Sequence, residues 1–288
     1  MKKRISPLIF PCILAILCGT GMSTNPKPKE SELQQRVSEQ DSLLFLEKQQ
    51  LAAADTSTIA RTMAIARSFL GAPYVHGCLE CVKDEALTVN LREMDCWTFV
   101  ENSVAIALTH DGSYGFYKSF LQQLRYWGGH VDGYGSRIHY FTGWLLQAEK
   151  CGIIEDLSAS MGGVPYDKKV GYITARPAKY PKINHEKVFL ELKKAEKRIN
   201  AHKWYFIPQS RIAKMEHLIQ EGDLVCLTSA KADLDIAHQG FAVKQNGRVY
   251  LMHASSLSKK VIIARQPLAQ YVVAQRGQTG IMVARLKQ

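Results

Sequence analysis

Beyond its first two dozen residues the sequence has no run of about 18 apolar residues, so no later segment is expected to cross a bilayer as a helix. It has no His-Glu-x-x-His motif, and His185-Glu186 lacks a second histidine in register. Cys78 and Cys81 form a single C-x-x-C with no second pair to complete four ligands, which argues against a zinc site. That pair is open to two readings, a local disulfide or two unpaired small residues. No internal repeat, coiled coil or nucleic-acid motif occurs. A composition of 46% hydrophobic and 22% charged residues excludes wholesale disorder, and 288 residues can bury an ordinary core in one large domain or two modest ones.

What is present starts with a targeting signal. Lys2, Lys3 and Arg4 precede the apolar run Leu8 to Leu17, which has the length of a signal h-region and is too short for a span. Gly19 and Gly21 suit cleavage after Gly21. Residues 1–22 are therefore expected to be a signal peptide and 23–56 a linker and N-terminal helix, with the protein exported to the periplasm or cell envelope. Cys18 offers a second reading, a lipid anchor, although the bulky Leu17 stands where such a signal places a small residue. Loss of the three basic residues takes the formal charge from +11 to about +8. That balance suits an anionic wall or membrane surface, or simply solubility; nucleic acid is not an expected partner. Once Cys12 and Cys18 leave with the signal, Cys78, Cys81, Cys96, Cys151 and Cys226 remain, and an odd number leaves at least one thiol unpaired. Cys226 lies in an apolar run and reads as core.

Patterning predicts helices over 31–54, 57–70 and 96–109, then near 115–126, 138–150, 185–201 and 208–220. From residue 222 the pattern turns to strands, at 224–229, 236–244, 248–254, 259–264 and 280–286, with Asn246-Gly247 a strong hairpin signal. Helices first and strands afterwards point to an α+β fold, with a helical insertion at about 112–221 inside a domain spanning 57–288.

Two places in this pattern carry chemistry. Asp95 is a favoured N-cap, and the stripe Phe99, Val100, Val104 begins behind it, so Cys96 falls in the first helical turn, where free N–H groups and the helix dipole favour a thiolate. Taken alone, Cys96 also reads as a small apolar residue in a core helix. A two-residue turn at Asn246-Gly247 pairs Gln245 with Arg248, which puts Ile236, His238, Gly240, Ala242, Leu251 and His253 on one sheet face. His238 and His253 then become diagonal neighbours, and the small residues around them leave room for a helix to approach. A thiol, an imidazole to activate it and a second group to orient that imidazole make a nucleophilic triad. The other reading is two solvated histidines on a hairpin. His76, His110, His130, His185, His202 and His217 have no such geometry and are expected in solvent.

These residues also resemble a family. Leu70-Gly71-Ala72-Pro73-Tyr74-Val75, Met94-Asp95-Cys96-Trp97-Thr98-Phe99-Val100-Glu101, Gly222-Asp223, Ala237-His238-Gln239-Gly240-Phe241 and Met252-His253-Ala254-Ser255 are similar, in that order, to the NlpC-type papain-like cell-wall hydrolases. Ser136-Arg137-Ile138-His139-Tyr140-Phe141 resembles their N-acetylmuramoyl-L-alanine amidase-like branch. The resemblance spans roughly residues 57 to 286. It implies a papain-like α+β fold with the nucleophile at a helix N-terminus packed on a mostly antiparallel sheet, and no metal or cofactor. It also implies catalytic Cys96, His238 and His253, and Tyr74 as a hydroxyl donor to the oxyanion beside the Cys96 N–H. Asp95, Ser136, Arg137, His139 and Tyr140 would border the peptidoglycan substrate. Many endopeptidase relatives carry Ser after the nucleophile, to hold a free stem-peptide amine. Trp97 stands there instead, which favours a substrate whose alanine nitrogen is already acylated by muramic acid. Cys78, where the family usually has Thr, places a second thiol near the site. The rival expectations are a D-Glu-specific peptidoglycan endopeptidase, a non-catalytic wall-binding module and an exported acyltransferase.

Overall fold

The computed structural model describes residues 30–80, 84–109 and 112–287, with side chains from residue 38 onward. The signal peptide expected at 1–22, Cys18 and Cys81 lie outside the described residues.

Among the described residues, seven α-helices and three short strands come before the main run of strands. They are α1 (Glu30–Leu51), α2 (Thr58–Ser68), α3 (Cys96–Leu108), α4 (Tyr114–Arg125), α5 (Phe141–Lys150), β1 (Ile154–Asp156), β2 (Val164–Pro165), α6 (Glu186–Ala201), β3 (Tyr205–Pro208) and α7 (Gln209–Met215), where the last two helices fall among and after those strands. Then come β4 (Leu224–Ser229), β5 (Ile236–Gln245), β6 (Arg248–Ser255), β7 (Lys260–Ile263), α8 (Leu268–Ala274) and β8 (Gln278–Leu286). The strands form one sheet in the order β2-β3-β8-β4-β5-β6-β7, with β1 also on β8, and the named strands pair antiparallel throughout. The fold is mixed α/β around an antiparallel sheet. The stretch 112–221, expected to be helical, also supplies β1, β2 and β3. They are too short for period-two patterning to show in the sequence.

Helices cover both faces of the sheet. On one face Leu224, Phe241, Val243 and Met252 share a core with Phe69, Phe99 and Val104 from the α2–α3 side. Phe99 meets Phe241 edge-on at 5.6 Å and Phe69 at 6.4 Å, contacts that add about 0.5–1.5 kcal/mol each to plain burial. On the other face Val225, Ala242, Leu251 and Ile281 pack with Ile212 of α7 and Leu268 and Val272 of α8.

The hairpin forms as its turn chemistry predicts. Asn246 (φ 50°) and Gly247 (φ 73°) both adopt the left-handed conformation that a tight two-residue turn needs, and Gln245 pairs with Arg248.

Candidate active site

Asp95 is extended, and its Oδ1 accepts from the Thr98 N–H at 2.9 Å while Thr98 Oγ1 accepts from the Asp95 N–H at 3.0 Å. This capping box pins Cys96 as the first residue of α3. The backbone N–H groups of Gln239, Cys96 and Trp97 lie near the sulfur and favour its charged form, without closing a hydrogen bond to it. The first of these is available because the β5–β6 ladder ends at Phe241–Met252, which frees the Gln239 N–H. Burial, then the Asp95 carboxylate, nevertheless push the thiol up to about 12. The helix N-terminus acts in the expected direction and is outweighed, so Cys96 rests as a thiol.

The two histidines meet. His238 Nε2 lies 2.6 Å from His253 Nδ1, with ring planes at 87°. Burial lowers His238 to about 4 and also lowers His253, so both rings are neutral at physiological pH. Gly240 makes the contact possible, since a Cβ there would sit 2.3 Å from the Met252 carbonyl oxygen and 3.0 Å from the His253 Cβ. One expectation needs correcting. The face shared by Gly240, Ala242, Leu251 and His253 is covered by α8, whose Tyr271 ring stands 5.3 Å from His253, and α3 packs on the opposite face. Ile236 is also out of phase, because a bulge opposite Leu227–Thr228 turns it into the α3-side core. Cys96, His238 and Gln239 border one cavity at the end of the hairpin where the β5–β6 ladder has stopped.

Tyr74, Asp95, Cys96, Trp97, His139 and His238 all border one cavity of about 300 Å³. Tyr74 is pushed up to about 12 by burial and by Cys96, so it keeps its hydroxyl proton. Trp97 stands edge-on to Phe141 at 5.0 Å, and Phe141 stacks on Trp144. His76, expected in solvent only, also borders this cavity, 3.5 Å from the Tyr74 hydroxyl. Asp235, which the sequence did not single out, borders it too and accepts from the Thr142 N–H and hydroxyl at the start of α5.

The remaining residues expected at the substrate divide. Arg137 and His139 border an adjoining cavity of about 190 Å³ that shares Asp95 and Trp97 with the first. Arg137 is buried and already neutralised by Glu80 at 2.6 Å and Glu85 at 3.0 Å, so it shapes that pocket more than it offers free charge. The His139 Nε2–H donates to the Tyr134 carbonyl at 2.8 Å, which fixes its tautomer. Ser136 closes its own turn, donating to the Gly133 carbonyl and accepting from the Asp132 N–H. The Tyr140 hydroxyl is buried between Glu196 and the Ile173 N–H. Ser136 and Tyr140 therefore hold the scaffold behind the pocket. Cys78 is a free thiol beside the α3 cap, donating to the Val75 carbonyl at 3.0 Å. Among the described residues no group of three His, Cys, Asp or Glu is placed to hold a metal ion.

The neutral resting thiol makes a measurable prediction. Its raised pKa keeps the thiolate population about a thousandfold below that of an unshifted thiol at the same pH. Iodoacetamide should label Cys96 at least about tenfold more slowly than glutathione near pH 7.5, with a rate that climbs about tenfold per pH unit. Peptide mass spectrometry separates Cys96 from Cys78. Fast labelling that is independent of pH between about 5 and 7 would instead reveal a standing thiolate–imidazolium pair.

Residues 64–281 match the family described as AmiA-like, N-acetylmuramoyl-L-alanine amidase-like. Among solved structures, an N-acetylmuramoyl-L-alanine amidase from Bacteroides uniformis is 30% identical with a TM-score of 0.74, covering 79% of this chain and 99% of its own. A Bacteroides fragilis structure carrying a provisional xylanase name is 32% identical with a TM-score of 0.71, covering 76% of this chain and 98% of its own. A Legionella pneumophila protein, 19% identical over 88% of this chain and 97% of its own, shares the fold with a TM-score of 0.69. No curated protein matches the chain.

Proposed function

The chain belongs to the AmiA-like, N-acetylmuramoyl-L-alanine amidase-like family, and from that membership and the geometry of the cleft we propose that it hydrolyses the amide between N-acetylmuramic acid and L-Ala in peptidoglycan fragments, through a thioester on Cys96. The observation that carries this reading is the 2.6 Å His238–His253 contact at the edge of the cavity that Cys96 borders.

The contact assigns the protons. For His238 Nδ1 to accept from the thiol, its Nε2 carries the other proton and donates it to His253 Nδ1. The Cys96 sulfur then attacks the lactyl carbonyl carbon and its proton passes to His238. As the C–N bond breaks, His238 returns that proton to the leaving L-Ala nitrogen. Water attacks the thioester in the second step, giving one proton to His238, and the sulfur leaves and is reprotonated. The Tyr74 hydroxyl and the Cys96 N–H face the developing oxyanion, where one such donor is worth on the order of 3 kcal/mol.

Trp97, the residue after the nucleophile, favours this bond over a D-Glu-specific endopeptidase cut, because it offers a free amine no hydrogen-bond acceptor of the kind a serine hydroxyl supplies. A glycosidase reading finds little support. Retaining or inverting hydrolysis of a sugar needs two available carboxylates, whereas Asp95 and Asp235, which border the cavity, each hold the start of a helix. The leader read at residues 1–22 supports an envelope location for the activity.

Digestion of an anhydro-muramyl tetrapeptide tests the reading by product mass. An intact tetrapeptide headed by L-Ala is the expected product. Release of L-Ala-D-Glu attached to the sugar would establish the endopeptidase, and no product at all would leave a wall-binding module.

A further inference from the structure

A second cavity of about 570 Å³ adjoins the first. Ala237, His238 and Ser256 border both, while Cys96 borders only the first. The chemistry of its wall is different. No Asp or Glu lines it, and its one charged side chain is Arg265, exposed and without an ion pair among the described residues. Serine hydroxyls and glutamine amides make up most of the remaining polar lining.

Two buried polar atoms at this wall lack a partner among the described residues: His253 Nε2, on a side chain 1% exposed, and Gln278 Oε1. Leaving such groups unpaired costs about 1–3 kcal/mol each. The proton assignment makes His253 Nε2 a donor, and the amide oxygen of Gln278 is an acceptor. An unpaired donor and an unpaired acceptor on one wall are what the C=O and N–H of a peptide satisfy.

The direction of the reaction says which half of the substrate lies there. The acyl group stays on sulfur, on the Cys96, Tyr74 and Trp97 side. The departing nitrogen takes its proton from His238, and that ring is one of the residues by which the second cavity adjoins the first. We propose that this second cavity is the leaving-group site and that it takes the acidic stem peptide headed by L-Ala, with Arg265 meeting a peptide carboxylate and His253 Nε2–H and Gln278 Oε1 pairing with its backbone. The inference rests on the reaction proposed above.

Calorimetric titration of Cys96→Ala protein with the free tripeptide L-Ala-γ-D-Glu-L-Lys tests the site without turnover. Saturable binding is expected, weakened about tenfold by adding Arg265→Gln, and weakened equally by amidating the peptide carboxylates. No binding, or equal binding with and without Arg265, overturns the site. In the enzyme with Cys96 intact, Arg265→Gln should reduce about tenfold the ratio of kcat/KM for N-acetylmuramoyl tripeptide to that for its amidated form. An unchanged ratio also overturns the site. If the intact enzyme cuts neither substrate while the Cys96→Ala protein binds peptide as expected, the site stands and the proposed reaction fails.

Discussion

Replacing Cys96 by alanine is expected to lower amide hydrolysis at least about 10⁴-fold while leaving the unfolding transition in place. The first half follows from the proposed thioester route, in which Cys96 is the one thiol that borders the cavity among the described residues. The second half follows from what the thiol touches. It lies near backbone N–H groups at the mouth of α3 and on β5, and the cap that holds the helix runs through Asp95 and Thr98 instead. Alanine at the first helical position keeps that cap and has high helix propensity. Product formation from a muropeptide, followed by mass, and a denaturant titration of the same preparation separate the two effects. Residual turnover above about 1% would remove Cys96 from the covalent role.

Glu101→Ala is expected to cost about 3–5 kcal/mol of stability, the largest effect foreseen away from the cavity. Glu101 accepts from Arg125 Nε at 2.8 Å, and the two side chains are at most 1% exposed. Arg125 also donates to the Thr88 carbonyl, so it cannot swing out to solvent without breaking a second contact. Removing the carboxylate strands a buried guanidinium. In a domain of this size that loss lowers Tm by roughly 10 °C, which calorimetry reads directly. The carboxylate also faces the Trp97 indole N–H, which is directed at it without closing a full hydrogen bond. Activity should therefore fall in the folded variant too, as the Trp97 ring beside Cys96 loosens. An unchanged Tm would mean that water or another group reaches Arg125.

Much of the site was legible because its parts are local. Asp95 followed by an apolar stripe marks a helix start wherever it occurs, and Asn246-Gly247 admits one register, which brings His238 and His253 together before any tertiary contact is considered. The rest depends on contacts distant in sequence. Small residues at Gly240 and Ala242 look like room for the nucleophile's helix, yet α8 fills that side and α3 lies behind the sheet. The neutralisation of Arg137 by Glu80 and Glu85 joins residues more than 50 apart in the chain. A helix N-terminus suggests a thiolate from sequence alone, but the burial that overrides it depends on how the hairpin closes over Cys96. Tyr271 sits on a seven-residue helix, too short to announce itself by periodicity.

The strand order has a consequence for assembly. β8 is synthesised after the other seven strands and lies between β3 and β4, with β1 also on it. Until it arrives, the β4–β7 meander and the β1–β3 fragments share no ladder, so the late joining of two half-sheets adds long loop closures to the folding barrier. A nascent hydrolase would then carry its paired imidazoles early, yet remain without a finished platform for the sulfur until the final ribbon slots into the middle.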